Sequence, residues 1–160
     1  MPGLAMSTAT VILVAGQLGS GKVTEIRHII REAFILSTFM MLVMGALTYM
    51  LGPSLLPLFT QNADAKRSAM IVLLFSLLGA PATAGTLVYT AAWQGLGKAK
   101  LPFYATTLGM WLVRIIFGYV FGVLWRNGLA GVWMATILDN TTRWVILSQQ
   151  FNKYHKVIFH

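Results

Sequence analysis

The chain has 160 residues, of which 57% are hydrophobic and only 10% are charged, and its mean hydropathy is +0.71. An average soluble domain carries about 25% charged residues, so this composition excludes an ordinary soluble domain and indicates a membrane protein. The formal net charge is +8, but basic residues in short loops between apolar segments are typical of membrane orientation, so we predict no nucleic-acid partner.

The first element is a short apolar segment, residues 1–19. It lacks the basic region and the cleavage pattern of a secretory signal peptide. We interpret it as the end of a helix whose beginning lies upstream in a longer protein.

The loop that follows is rich in glycine. Its characteristic residues are Gly16, Gln17, Gly19, Gly21 and Lys22. The spacing resembles a phosphate-binding P-loop, but Val23 stands where the Ser or Thr that contacts Mg²⁺ would be. We therefore predict a reverse turn between two helices that binds neither a nucleotide nor another cofactor.

Four long apolar segments come next, and each is long enough to cross about 30 Å of hydrocarbon as an α-helix. They are residues 33–51, 68–93, 101–125 and 129–150. The sequence therefore predicts an all-α fold, a polytopic membrane helix bundle. It has four complete transmembrane helices, a partial N-terminal helix and a tail at residues 151–160.

The second of these segments carries a polar stripe. The stripe consists of Gly79 and four hydroxyl residues, Ser76, Thr83, Thr86 and Thr90. They fall within an arc of roughly 80° on a helix, and Pro81 interrupts the backbone hydrogen bonds between them. Small residues favour close packing of membrane helices, but hydroxyls beside a broken helix also line solute pathways. Both interpretations are open, and the four hydroxyl residues are candidates for the lining of a cleft.

The third and fourth segments contain three charged residues, Arg114, Asp139 and Arg143. Each costs roughly 2.5–3.5 kcal/mol at the centre of a membrane helix, so each needs a partner, a wet cavity or a function. Arg114 and Asp139 are equally distant from the turn at residues 126–127, which places them at the same depth in an antiparallel hairpin and predicts an ion pair.

Asp139 and Arg143 are also spaced i, i+4 on one helix face and form an alternative pair. We expect this intramembrane ion cluster to brace the last two helices. The functional alternative is that Asp139 is a protonatable or ion-binding group.

The loops differ in positive charge. Alternate loops lie on the same side of a membrane, which groups seven basic residues against three. The larger group is Lys22, Arg27, Arg31, Lys98, Lys100, Lys153 and Lys156, and the smaller group is Lys66, Arg67 and Arg126. The positive-inside rule then places the first glycine loop, the second glycine loop with Gly95, Gly97 and Lys98, and the C-terminus in the cytoplasm.

The sequence offers little for chemistry on a substrate. It has no cysteine, which excludes thiolate nucleophiles and cysteine-bound metals. Its four acidic residues and three histidines do not combine into a catalytic or metal-ligand pattern. We predict that the protein is not an enzyme and holds no metal.

Several motifs, in order, resemble the multidrug and toxin extrusion (MATE) family of efflux antiporters. They are the glycine loop at 14–22, the Leu-Phe-Thr at 58–60 with Asp64, the loop at 95–102, the Gly-x-x-Gly-x-Trp at 128–133, and Leu138-Asp139 with Arg143. The resemblance covers nearly the whole chain. It implies twelve helices in two six-helix lobes, of which residues 1–160 form part of the C-terminal lobe, from the end of helix eight to helix twelve.

The resemblance also implies a function, the secondary active efflux of drugs or organic cations by antiport coupled to H⁺ or Na⁺. The segment at 68–93 matches helix ten but has no acidic residue, so the coupling site is expected outside this chain. The implied partners are the lipid bilayer of the cell membrane, the remaining helices of the full-length transporter and organic solutes. The alternatives are a lipid-linked oligosaccharide flippase of similar architecture and a non-transporting membrane subunit.

Overall fold

The computed structural model describes residues 2–126 and 128–158, and their secondary structure is entirely helical. Residue 1 of the predicted helix end, residue 127 of the predicted turn and residues 159–160 of the predicted tail lie outside the described residues. The helices are α1 (Pro2–Gly19), α2 (Val23–Phe59), α3 (Ala63–Leu78), α4 (Ala80–Gly95), α5 (Lys100–Leu124) and α6 (Gly128–Ile158). The all-α membrane helix bundle predicted from the sequence is confirmed.

The first two loops are much shorter than the sequence suggests. Residues 23–32 and 52–59, predicted as parts of loops, belong to helix α2. At the beginning of this helix Ile26 and Ile30 are buried one turn apart, so the core selects a helix although charged residues lie between them. Pro53 and Pro57 lie inside the last turns of the same helix.

The second predicted span, residues 68–93, is broken. Helices α3 and α4 meet at Gly79 with their axes bent by 51°. Pro81 lies in the first turn of α4, where the missing N–H of proline leaves no hydrogen bond unmade. The polar stripe is therefore divided between two helices of different direction.

Length and apolar composition mark some of the predicted spans directly. Among the described residues, α2 and α5 are long and apolar enough to cross a membrane, and α3 with α4 gives a third if the bent pair is one span. Helix α6 is not in this set, because the polar residues at 139–143 lie within its apolar stretch. The four complete spans at 33–51, 68–93, 101–125 and 129–150 stay a prediction.

The helices alternate in direction along the chain. Gly3 lies beside Leu87 and Gly95 beside Val14, so α1 and α4 run parallel, and Gly85 beside Trp144 places α6 parallel to them. Helix α2 runs opposite to α3, since Gly45 lies beside Leu77 and Gly52 beside Met70. Helix α5 runs opposite to α6, since Gly109 lies beside Arg143 and Gly122 beside Val132. Helix α4 is the central helix, since it packs on α1, α2 and α6.

The buried core lies at the end of the bundle where α1, α4 and α6 finish. It contains residues of five helices, among them Val14, Ile26, Ile30, Val88, Trp93, Ala105, Leu147 and Phe151. Elsewhere α2 and α5 expose long rows of apolar side chains, for example Phe39 and Trp111. Exposed apolar area of this extent is typical of helices that face lipid or further helices.

Candidate functional site

The candidate site is a buried polar cluster on α6. Its centre is Asp139, whose side chain is completely buried. Arg143, one turn later, donates from Nη2 to Asp139 Oδ2 at 2.7 Å and to Asn140 Oδ1 at 2.9 Å. The charge of the carboxylate is therefore balanced within its own helix.

Asn140 connects this cluster to the central helix α4. Its Nδ2 donates to Thr83 Oγ1 at 3.1 Å, and its backbone carbonyl accepts from Thr86 Oγ1 at 2.8 Å. Hydrogen bonds between membrane helices typically contribute about 0.6–2 kcal/mol each. Two of the predicted cleft residues, Thr83 and Thr86, therefore connect α4 to α6 by hydrogen bonds.

Helix α5 approaches the cluster through Gly109. A Cβ on this residue would clash with Asp139 Oδ1 and lie 3.0 Å from Arg143 Cδ. Gly109 is also the first residue of a π-helical stretch, Gly109–Ile115. The absence of a side chain at this position is what allows α5 to cover the carboxylate.

The cluster retains unused hydrogen-bonding capacity. Asp139 Oδ1 and Arg143 Nε are both buried and have no hydrogen-bond partner among residues 2–126 and 128–158. Arg143 also lines a cavity of about 340 Å³ between α5 and α6, together with Gly109 and Thr142. The site is thus an ion pair with one spare acceptor and one spare donor, and Arg143 borders an apolar cavity.

The predicted pair between Arg114 and Asp139 is not formed. The Arg114 side chain is exposed and makes no ion pair within the described part of the chain. Equal distance from the turn fixes the depth of two residues but not the direction in which their side chains leave the helices. Gly109, not Arg114, lies on the face of α5 that meets Asp139.

The four hydroxyl residues of the stripe have different surroundings. Thr86 is buried against α6, and Thr90 is half-buried. Ser76 and Thr83 line a cavity of about 400 Å³ that is otherwise bordered by α1, α2 and the beginning of α4. Ser76 and Thr83 are thus the two hydroxyl residues of the stripe that border this cavity.

Both glycine loops form the same tight helix end. At the first, Gly21 has a φ of 74°, Lys22 N–H donates to the Gln17 carbonyl at 3.0 Å, and Gly21 N–H donates to the Leu18 carbonyl at 3.2 Å. This is the Schellman pattern, which uses a left-handed glycine to satisfy the last carbonyl groups of a helix.

The second loop repeats this geometry. Gly97 has a φ of 73°, Gly97 N–H donates to the Gln94 carbonyl at 2.9 Å, and Lys98 N–H donates to the Trp93 carbonyl at 2.9 Å. In each loop the two N–H groups close the helix end. Gly16 and Gly19 thus belong to the last turns of α1, and Gly21 and Lys22 form the turn that follows. In the second loop, Gly95 lies against Val14 of α1.

Two residues of the polar cluster, Asn140 and Gly109, are not among the candidates predicted from the sequence. Asn140 follows Asp139 directly, and a polar amide inside an apolar segment is a signal that could have found it. Gly109 has no comparable signal, because its role depends on which helix face meets α6. In the described part of the chain, no three His, Asp or Glu side chains are grouped to hold a metal ion.

Comparisons with known proteins give a family. The MatE family model matches residues 1–120. The chain is 27% identical over 153 residues to the uncharacterized transporter YisQ of Bacillus subtilis (strain 168), covering 93% of this chain and 33% of that protein. It is 25% identical over 143 residues to the probable multidrug resistance protein NorM of Thermotoga maritima, covering 87% of this chain and 30% of that protein.

The chain therefore spans about a third of the length of these curated relatives. No solved structure gives a significant match.

Proposed function

Since the chain belongs to the MatE family of transporters, we propose that it forms part of a secondary transporter that expels drugs or organic cations in exchange for ions. The observation that carries this proposal is the family match over residues 1–120 of the 160. The relative named as a probable multidrug resistance protein supports drugs as the solute class. The protein acts in the membrane and performs no covalent chemistry in this proposal.

The structure suggests separate roles for the two polar regions. The Asp139–Arg143 pair, tied to α4 through Asn140, holds the central helices together. The cavity lined by Ser76 and Thr83 borders the solute pathway, next to the bend at Gly79. A bent helix beside a cavity is a feature that transporters use to form a solute site.

The direction of transport depends on which end of the helix bundle faces the cytoplasm. The two Schellman turns carry Lys22 and Lys98, and the excess of basic residues at their end of the bundle favours a cytoplasmic location. In this orientation the loop at residues 60–62 faces outward. The coupling ion in the proposal is H⁺ or Na⁺, bound by residues other than those of the described cluster.

Accumulation of ethidium in an efflux-deficient bacterial strain tests the proposal. Cells that make the protein containing this chain should accumulate several-fold less dye, and dissipating the proton and sodium gradients should abolish the difference. Unchanged accumulation, with the protein verified in the membrane, would contradict the function.

A pair of variants tests the pathway. Ser76→Leu should reduce efflux because the larger side chain enters the cavity. Ser148→Leu on α6 adds the same volume at a hydroxyl that bonds only to the Val145 carbonyl of its own helix, so efflux should be retained. Equal effects of the two variants would remove Ser76 from the pathway.

A further inference from the structure

A small polar cavity lies where the first turns of α2 meet the last turns of α6. It has a volume of about 220 Å³ and is lined by Arg27, Ile30, Arg31, Tyr89, Phe151 and Asn152. We propose that this cavity binds a phosphate group presented by the headgroup of an anionic lipid. The site goes beyond the proposed transport function, since it lies outside the solute cavity and the ion pair.

The charge of the cavity favours an anion. Arg27 and Arg31 are spaced i, i+4 on one face of α2 and therefore repel each other. Neither forms an ion pair within residues 2–126 and 128–158, and the nearby Glu32 is 3.8 Å from His28 instead. An anion between the two guanidinium groups converts a repulsive pair into two charge-assisted contacts.

The chemistry of the lining fits phosphate in particular. Two guanidinium groups present planar donor pairs that match phosphate oxygens in a bidentate way, and the Asn152 amide supplies further donors. Arg27 and Arg31 are exposed at the cavity mouth, so a headgroup can reach them without a conformational change.

The floor of the cavity is rigid. Ile30 and Phe151 are only 2% and 3% exposed and belong to the buried core. They hold α2 and α6 at a fixed separation, so the arginines and the amide of Asn152 are brought together by packing. A site held by a packed core loses little conformational entropy when it binds.

The depth of the cavity identifies the source of the phosphate as lipid. Helix α2 carries no charged residue after Glu32, so it leaves the hydrocarbon at Glu32 and Arg31. Basic pockets between membrane helices at this level bind anionic headgroups. A phosphate ester at the level of the headgroups therefore meets the two arginines.

Native mass spectrometry of the purified protein that contains this chain, with added lipid, tests this site. One dioleoylphosphatidylglycerol should bind more tightly than dioleoylphosphatidylcholine. Arg27→Gln/Arg31→Gln should weaken the binding of phosphatidylglycerol on the order of tenfold. Arg27→Lys/Arg31→Lys keeps the charge but loses the planar donor pair, and it should bind with intermediate affinity. If the glutamine variant does not fold, the lysine variant still tests the role of the two guanidinium groups.

The matched control is Lys153→Gln/Lys156→Gln, which removes two charges from exposed positions of α6 near the same end of the bundle. This variant should retain most of the affinity for phosphatidylglycerol. If both glutamine variants lost the same affinity for phosphatidylglycerol, the lipid would be held by diffuse electrostatic attraction, and the proposed site would be overturned. Inorganic phosphate that displaces the lipid at millimolar concentration, with the same dependence on Arg27 and Arg31, would overturn the lipid source.

Discussion

Asp139 is buried in the bundle, and the residue that balances its charge is its neighbour one turn later, Arg143, at 2.7 Å. A pair within one helix forms as soon as the helix does, whereas a pair across the hairpin with Arg114 requires both helices to be correctly rotated. Burial of both charges is costly, and their mutual attraction offsets the cost only while both are present. The pair is therefore a constraint on the fold more than a source of stability.

Variants of this pair test that argument. Arg143→Met leaves a lone buried carboxylate and should cost about 3–5 kcal/mol of unfolding free energy. The double variant Asp139→Leu/Arg143→Met should lose less than the single one, because no uncompensated charge remains. Thermal unfolding in detergent measures the difference.

Arg114→Met is the control, since Arg114 is a charged residue of the adjacent helix that is exposed. It should unfold close to the temperature of the unmodified protein. A loss for Arg114→Met equal to that for Arg143→Met would show that Arg114 reaches the carboxylate after all.

At the scale of the helices, the ends of α1 and α4 are built alike. In both, a glycine with a φ near 74° or 73° ends the helix, and a lysine follows it. Only glycine adopts this conformation without strain, since other residues lose roughly 1–2 kcal/mol in the left-handed region. The two turns bring α1 back into α2 and α4 back into α5.

Gly21→Ala and Gly97→Ala should therefore each lower the unfolding free energy by about 1 kcal/mol. Gly16→Ala and Gly19→Ala are matched controls in the last turns of α1, where a Cβ meets nothing within 4 Å. They should leave stability unchanged or raise it, because alanine favours a helix interior over glycine. Chemical or thermal unfolding of the four variants provides the comparison, and equal losses at all four positions would contradict the role of the left-handed conformation.

Across the bundle, the direction of each helix decides which loops lie at the same end. Since α1, α4 and α6 run parallel and α2 and α5 run the other way, both glycine turns lie at one end and residues 60–62 at the other. The basic residues Arg27 and Arg31 line one cavity with Asn152, and Lys98 lies 3.9 Å from the ring centre of Tyr154. The positive charge of α2 and of the second glycine loop thus meets the last turns of α6 at the end with the buried core.

Labelling of single cysteines tests the orientation that this charge implies. The chain has no cysteine, so Gln61→Cys and Ala99→Cys each provide a unique thiol at an exposed position. A membrane-impermeant maleimide should label Gln61→Cys in intact cells, and Ala99→Cys only after the membrane is opened. Labelling in the reverse order would place the glycine turns outside the cell.

Composition and motif order were enough to predict the class of the protein and its family. Apolar length and low charge are properties of composition, so the membrane helix bundle followed from them, and the ordered motifs indicated the family that the MatE match shows. The glycine turn was also predictable, because Gly-x-Gly-Lys limits the local backbone. These features depend on residues close together in the chain.

Tertiary structure decided everything that depends on the rotation of one helix against another. Arg114 and Asp139 share a depth, but the contact between Gly109 and Asp139 turns Arg114 away. The i, i+4 rule allowed the pair of Asp139 with Arg143, and packing made it the pair that forms. Thr86 and Ser76 belong to one stripe in sequence, yet the 51° bend sends one against α6 and the other to a cavity. Apolar segment length indicates where the helices lie, but packing against neighbours fixes their ends and the direction in which each side chain points.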